Sequence, residues 1–171
     1  MSTEESKVTT FSSILLILLR EIRVERNIHQ AQVADLFGKT PSAWTKVETG
    51  RSPLSFDAFF RLCNGMHISP TAVMAAMERY AALLSQHGWA VIATDLGFNE
   101  DLLLRHAQEY WASPGFRSRP PQVNWGFTSV LNGPVYNPNG TITLAAVFQF
   151  VLDPTFRQQQ SNTQPEVHQH L

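Results

Sequence analysis

The sequence predicts an all-α unit of five short helices over residues 11–87, followed over 88–154 by a small α+β unit, one helix plus an antiparallel hairpin. Three observations predict it. Thr40-Pro41 and Ser69-Pro70 are paired helix starts, a hydroxyl cap followed by a proline whose missing N–H costs nothing at the first helical position. Apolar residues recur at i, i+3, i+4 and i+7 from residue 15 to residue 84. After residue 88 that pattern gives way to two-residue alternation and turn signals.

Residues 1–10 are polar and read as a flexible N-terminus. Leu15, Leu18, Leu19 and Ile22 then set the helical period from about Ser12 to Glu25. The run Phe11–Leu19 is nine residues, whereas a membrane-crossing helix needs roughly 20. A secretory leader would begin with bases, and Ser-Thr-Glu-Glu stands there instead. The run therefore reads as a helix buried on more than one side. Val33, Ala34 and Phe37 place a second helix over Gln30–Phe37, stopped by Gly38. A third runs from the Thr40-Pro41 start to Thr49 and ends at Gly50. A fourth begins at Ser55 and carries Phe56, Phe59, Phe60 and Cys63. The fifth opens at Ser69-Pro70, with Val73, Met74, Met77, Tyr80, Ala81 and Leu84 as its stripe, and Gly88 closes it.

In the second unit Trp89–Thr94 reads as a short strand, and Asn99 as the cap of a helix over Glu100–Ala112. Arg117–Pro121 is a loop. Val123–Leu131 alternates as a half-buried strand, Asn137–Gly140 turns, and Thr141–Leu152, β-branched and aromatic, returns as its partner. Of the 18 aromatic residues, 11 lie beyond residue 81, so this unit carries its own core material. Residues 155–171 hold little to bury and read as a disordered tail.

Composition excludes several chemistries. With 43% hydrophobic residues and 16% charged, the chain has material for a core. One cysteine, Cys63, excludes an intrachain disulfide and a Cys-rich zinc site, and points to the cytoplasm. None of the six histidines has metal-ligand spacing, so no metal and no cofactor are expected. The three lysines, Lys7, Lys39 and Lys46, all precede residue 47, which excludes a Lys-dependent self-cleaving domain in the second half. There is no phosphate-cradling glycine loop, and Asp95, Glu100, Asp101 and Glu109 lie where acids favour a helix dipole. The chain is expected not to be an enzyme. Its net charge of −1 is neutral about partners, but residues 20–61 carry +2 and residues from 81 onward −2.

The segment Gln30–Gly50 carries the function. Gln30, the Val33-Ala34 pair, Gly38 and Val47-Glu48-Thr49-Gly50 resemble the helix-turn-helix of Cro/CI-type regulators, the XRE family. The resemblance covers roughly residues 12–80 and implies a lambda-repressor-like fold for the first unit. Ala34 is small where the two motif helices cross closely. Val33, Trp44 and Val47 face the core, leaving Ser42, Thr45, Lys46 and Thr49 as a short polar, cationic face suited to the major groove.

Carried over residue by residue, the resemblance places Pro41, Ser42, Thr45 and Lys46 at base-reading positions. It implies phosphate contacts from Gln30, Lys39, Thr40, Thr49 and Arg51, and a structural ion pair between Arg23 and Glu48. Pro41 stands where family members commonly place a Gln that grips adenine, so readout leans on Ser42, Thr45, Lys46 and contact with thymine methyls. The implied function is a homodimeric repressor binding double-stranded DNA at an inverted-repeat operator. The C-terminal half serves as dimerisation or interaction element, and no membrane is involved. Three other readings compete: an antitoxin-type autoregulator whose C-terminal half binds a toxin, a protein-interaction module that does not touch DNA, and a ligand sensor built on the second half.

Overall fold

The computed structural model describes residues 4–118 and 129–163. Strand β1 (Val8–Thr10) leads straight into helix α1 (Phe11–Glu25), which is followed by α2 (Gln30–Leu36), α3 (Pro41–Glu48), α4 (Phe56–Gly65) and α5 (Pro70–Gln86). Strand β2 (Ala90–Ile92) runs parallel to β1, pairing Val8 with Ala90 and Thr10 with Ile92. A 3-10 turn at Phe98–Glu100 opens onto α6 (Leu102–Ala112) and α7 (Pro114–Arg117). The second described stretch contains a 3-10 turn at Val130–Asn132, an antiparallel hairpin of β3 (Val135–Tyr136) and β4 (Ile142–Thr143), and helices α8 (Ala146–Leu152) and α9 (Pro154–Asn162). Among the described residues, no helix is long and apolar enough to cross a membrane.

Local chemistry starts most of these helices. Side-chain oxygens of Thr10, Thr40, Ser55, Ser69, Asp101, Ser113 and Asp153 each accept from a backbone N–H of the first turn, which water would otherwise have to satisfy. Proline follows the cap in α3, α5, α7 and α9.

Helix α1 is the axis of the core. Ile14, Ile17, Leu18 and Ile22 are fully buried, and the helix packs against both α5 and α6. Buried side chains from α1 to α5 and from α6 to α8 form one continuous cluster, so apolar packing runs across residue 88. Polar contacts follow the same seam. Asp101, 1% exposed, accepts from Thr9 Oγ1 at 2.9 Å, Ser13 Oγ at 2.6 Å and the Leu104 N–H at 3.0 Å. Glu21 accepts from Trp111 Nε1 at 2.8 Å. Glu25 accepts from Ser129 Oγ and the Val130 N–H, and burial raises its pKa against the opposing pull of those two donors. Arg79 donates to the carbonyls of Leu131 and Gly133. Tyr80 stacks on Phe148 with ring centroids 4.0 Å apart, its hydroxyl accepts from the Ala145 N–H, and burial pushes its phenol up to about 12.

The structure corrects several local expectations. Val8–Thr10, expected to be flexible, form β1, with Thr9 bonded to Asp101 and Thr10 capping α1. The cap of the sixth helix is Asp101 rather than Asn99. The alternating segment 123–131 lies mostly outside the described residues, and its described end, Val130–Asn132, is a 3-10 turn. Of Thr141–Leu152, expected as one strand, only Ile142–Thr143 is extended, and Ala146–Leu152 is helix α8. The reason is the face that must be buried. Val147, Phe148, Phe150 and Val151 are buried, a helical spacing, whereas a strand would have put Gln149 on the core face. Residues 155–162, expected within a disordered tail, belong to α9 (Pro154–Asn162), started by the Asp153-Pro154 cap and held by Arg157, which donates to the carbonyls of Phe150 and Val151.

Replacing Asp101 with Ala removes a helix cap, strands the buried Thr9 hydroxyl and leaves that of Ser13 with only Thr10 Oγ1. Urea unfolding of Asp101→Ala should show a loss of about 3 kcal/mol. A loss no larger than that of an exposed substitution would refute the role given to this carboxylate.

Candidate nucleic-acid interface

The segment from α2 to the end of α3 is built by short-range rules. Helix α2 stops at Phe37, Gly38 takes φ +61°, and the Lys39 N–H returns to the Ala34 carbonyl at 3.0 Å. Thr40 Oγ1 accepts from the Ala43 N–H at 3.2 Å, and α3 begins. Val33 and Ala34 are fully buried, so the two helices meet at close range through a small side chain.

The inner face of α3 is Trp44, Val47 and Glu48, all buried. The indole of Trp44 stacks on Phe37, centroids 5.4 Å apart at 18°. Glu48, at 3% exposure, is the unusual member, a carboxylate in the interior. Arg23 donates Nε–H to Glu48 Oε1 at 2.6 Å and Nη1–H to the Ile28 carbonyl at 2.8 Å. Gln30 donates its amide to Glu48 Oε2. One acid at the end of α3 is therefore gripped from α1 and from α2, as a buried charge requires.

The outer face carries the residues expected to read bases. Pro41, Ser42 and Lys46 are exposed and Thr45 is half-buried. Thr45 Oγ1 donates to the Pro41 carbonyl at 2.9 Å, and Thr49 Oγ1 donates to the Thr45 carbonyl at 2.8 Å. Both hydroxyls have thus used their proton within the helix and retain acceptor lone pairs, which suit the amino groups of adenine or cytosine.

The residues expected at phosphates are distributed around this helix. Lys39 and Thr40 are exposed at the turn. Gln30 is half-buried and engaged with Glu48, with Thr45 Oγ1 a further 3.5 Å contact to its carbonyl oxygen. Arg51, just past α3, is exposed, and its guanidinium lies 5.0 Å from the ring centroid of Phe98.

Two contacts had no local signal in the sequence. Gly50, at φ +82°, ends α3 where an added Cβ would come within 2.7 Å of Leu104 Cδ1, so it provides both the turn and the room for α6. Arg20 sits over the Trp111 ring at 3.8 Å, and burial lowers its pKa. Both contacts join positions more than 50 residues apart, where only the folded chain brings them together.

Among the described residues, no group of three or more His, Cys, Asp or Glu is placed to hold a metal. Cys63 is buried on α4, and burial pushes its thiol up to about 11.

A family model described as a helix-turn-helix domain matches residues 14–77. These residues are a helix-turn-helix domain. The match is consistent with a regulator of the XRE type, and domains of this kind serve DNA-binding regulators and are typically non-enzymatic. No curated protein and no solved structure matches the chain.

Within this domain the Arg23–Glu48 contact is a buried pair rather than a surface one, so removing Arg23 leaves a carboxylate with only the Gln30 amide. Arg23→Ala should lower stability by about 3 kcal/mol. An unchanged melting temperature would discard the pairing.

Proposed function

We propose that the protein is a cytoplasmic, homodimeric, sequence-specific double-stranded DNA-binding regulator that represses a promoter by occupying an inverted-repeat operator. One observation carries the reading. The outer face of α3 presents Ser42 and Lys46, whose side chains have no hydrogen-bond or ion-pair partner among the described residues, while the inner face is anchored by Trp44, Val47 and Glu48. A helix whose tilt is set from beneath and whose donors are left unspent matches what a major-groove reader needs.

Roles follow from chemistry. The Lys46 ammonium suits the O6 and N7 acceptors of guanine, and the Ser42 hydroxyl reads either a donor or an acceptor. Thr45 offers an acceptor and a methyl group, and the ring of Pro41 suits a thymine methyl. Lys39, Thr40, Thr49 and Arg51 surround these as phosphate ligands, and the second amide proton of Gln30 is available for another. A single such module touches few base pairs, so strong specificity calls for two copies reading half-sites about 34–36 Å apart.

The test is selection from random duplexes followed by a salt titration on the enriched fragment. The reading expects an inverted repeat and a slope of log K against log salt of about −4 or steeper, from phosphate neutralisation on both half-sites. Replacing Ser42 and Lys46 together by Ala should weaken specific binding by about 100-fold and leave non-specific binding largely intact. Salt-insensitive or undetectable binding, or a double variant indistinguishable from wild type, would overturn the reading and favour a module that binds protein instead.

A further inference from the structure

Where the starts of α1 and α4 meet α5, an apolar surface is left uncovered by the protomer. Phe56 is 72% exposed and Phe60 46%, and Phe11 and Met74 are exposed too. Phe56 and Phe60 lie one turn apart on α4, their rings 5.3 Å between centroids. Next to them is a groove of about 210 Å³ lined mainly by Phe11, Leu15, Phe56, Phe59, Met74 and Met77, with Ser12 and Ser55 also on its wall. Surface aromatics scattered singly need no explanation; a cluster flanking an apolar groove marks a contact surface.

The charges on the same helix say what kind of partner fits. Asp57 and Arg61 are exposed, four residues apart, and directly follow Phe56 and Phe60 in sequence. Helix α4 therefore carries an apolar stripe and, beside it, a stripe that is acidic at one end and basic at the other. Neither Asp57 nor Arg61 forms an ion pair among the described residues. A two-fold axis across the middle of α4 sets the helix antiparallel to its own copy. Phe56 then faces the copy's Phe60, and Asp57 faces the copy's Arg61, twice over. The ring of Phe60 is a knob, and the groove beside Phe56 is a hole. An apolar cavity of about 150 Å³ takes a benzene ring, so this groove has room for one phenyl group. Knob and hole side by side, with opposite charges at symmetric positions, form a self-complementary patch, which is what a closed two-fold contact requires.

We propose that the α4 face, with its groove against α1 and α5, is the surface through which two copies of this chain associate, Phe60 of each entering the groove of the other and Asp57 pairing with Arg61 across the axis. This names the interface of the homodimer proposed above and rests on that reading for its two-fold, but not for its DNA. It places the principal contact on α4 rather than on the C-terminal half.

Sedimentation of the full chain at micromolar concentration tests it, with circular dichroism to confirm that each variant is folded. Wild type should run as a dimer, and Phe60→Asp as a folded monomer. Asp57→Arg and Arg61→Asp should each weaken the dimer by at least about tenfold through like-charge contacts, and the two together should restore it. Restoration would not follow from a merely structural role, and the exposed charge variants keep the test open if Phe60→Asp fails to fold. Tyr136→Asp, on the exposed β3–β4 hairpin, should leave the dimer intact. The proposal is overturned by a monomeric wild type, by a Phe60→Asp dimer, by dissociation on Tyr136→Asp, or by a double charge swap that stays dissociated. A wild-type dimer that binds no DNA keeps this interface and removes the regulator reading, whereas a monomer that binds an operator does the reverse.

Discussion

A single buried carboxylate sets the geometry on which the proposed DNA-reading face depends. Glu48 is the last residue of α3, and an ionised acid there is tolerated only because Arg23 and Gln30 reach it from two other helices. Apolar packing by Trp44 and Val47 holds α3 against the core but is non-directional; the paired oxygens of Glu48 add direction, because each accepts from a fixed donor. The rotation of α3 about its axis follows, and with it the outward placement of Ser42 and Lys46. Turning α3 by one residue would bring Thr49 inward and drive Glu48 into water, away from both partners.

The second half of the chain does more than follow the first. Asp101, Trp111, Ser129 and the backbone around Leu131 and Gly133 bind the N-terminal strand, α1 and α5 through directed hydrogen bonds, on top of a shared apolar core. The same half touches the far end of the reading helix, where Leu104 abuts Gly50 and Phe98 lies under Arg51. Helix α3 is therefore held near its start by Phe37 and Thr40, along its length by Trp44 and Val47, and at its end by Glu48 and α6. Such bracing favours a pre-organised reader, which loses less entropy on docking than a mobile one.

Much of this was legible in the sequence because it is local. Thr40-Pro41, Ser69-Pro70, Gly38 and Gly50 specify starts, stops and a positive φ within a few residues, and they lie at helix boundaries in the structure. The second half was harder because its signals compete. The β-branched and aromatic content of residues 141–152 favours a strand, but Val147, Phe148, Phe150 and Val151 are all buried while Gln149 between them is not, a pattern that fits a helix and not strand alternation, and tertiary burial overrides propensity. Val8–Thr10 read as polar, yet two threonines can pair in a strand, cap a helix and bond an aspartate 92 residues away in sequence. For the reading face, residue types at helical spacing separated the buried side of α3 from the exposed one. Its contacts with Phe98 and Leu104 depend on where α6 lands, which no local pattern encodes.

The measurement that bears most directly on the outward-facing α3 is amide chemical-shift mapping of the full chain titrated with duplex DNA at low salt. The account predicts the largest changes over residues 39–51, smaller ones at Gln30, and little across α6 and α8. Changes confined to the C-terminal half, or none in α3 while DNA is bound, would contradict it.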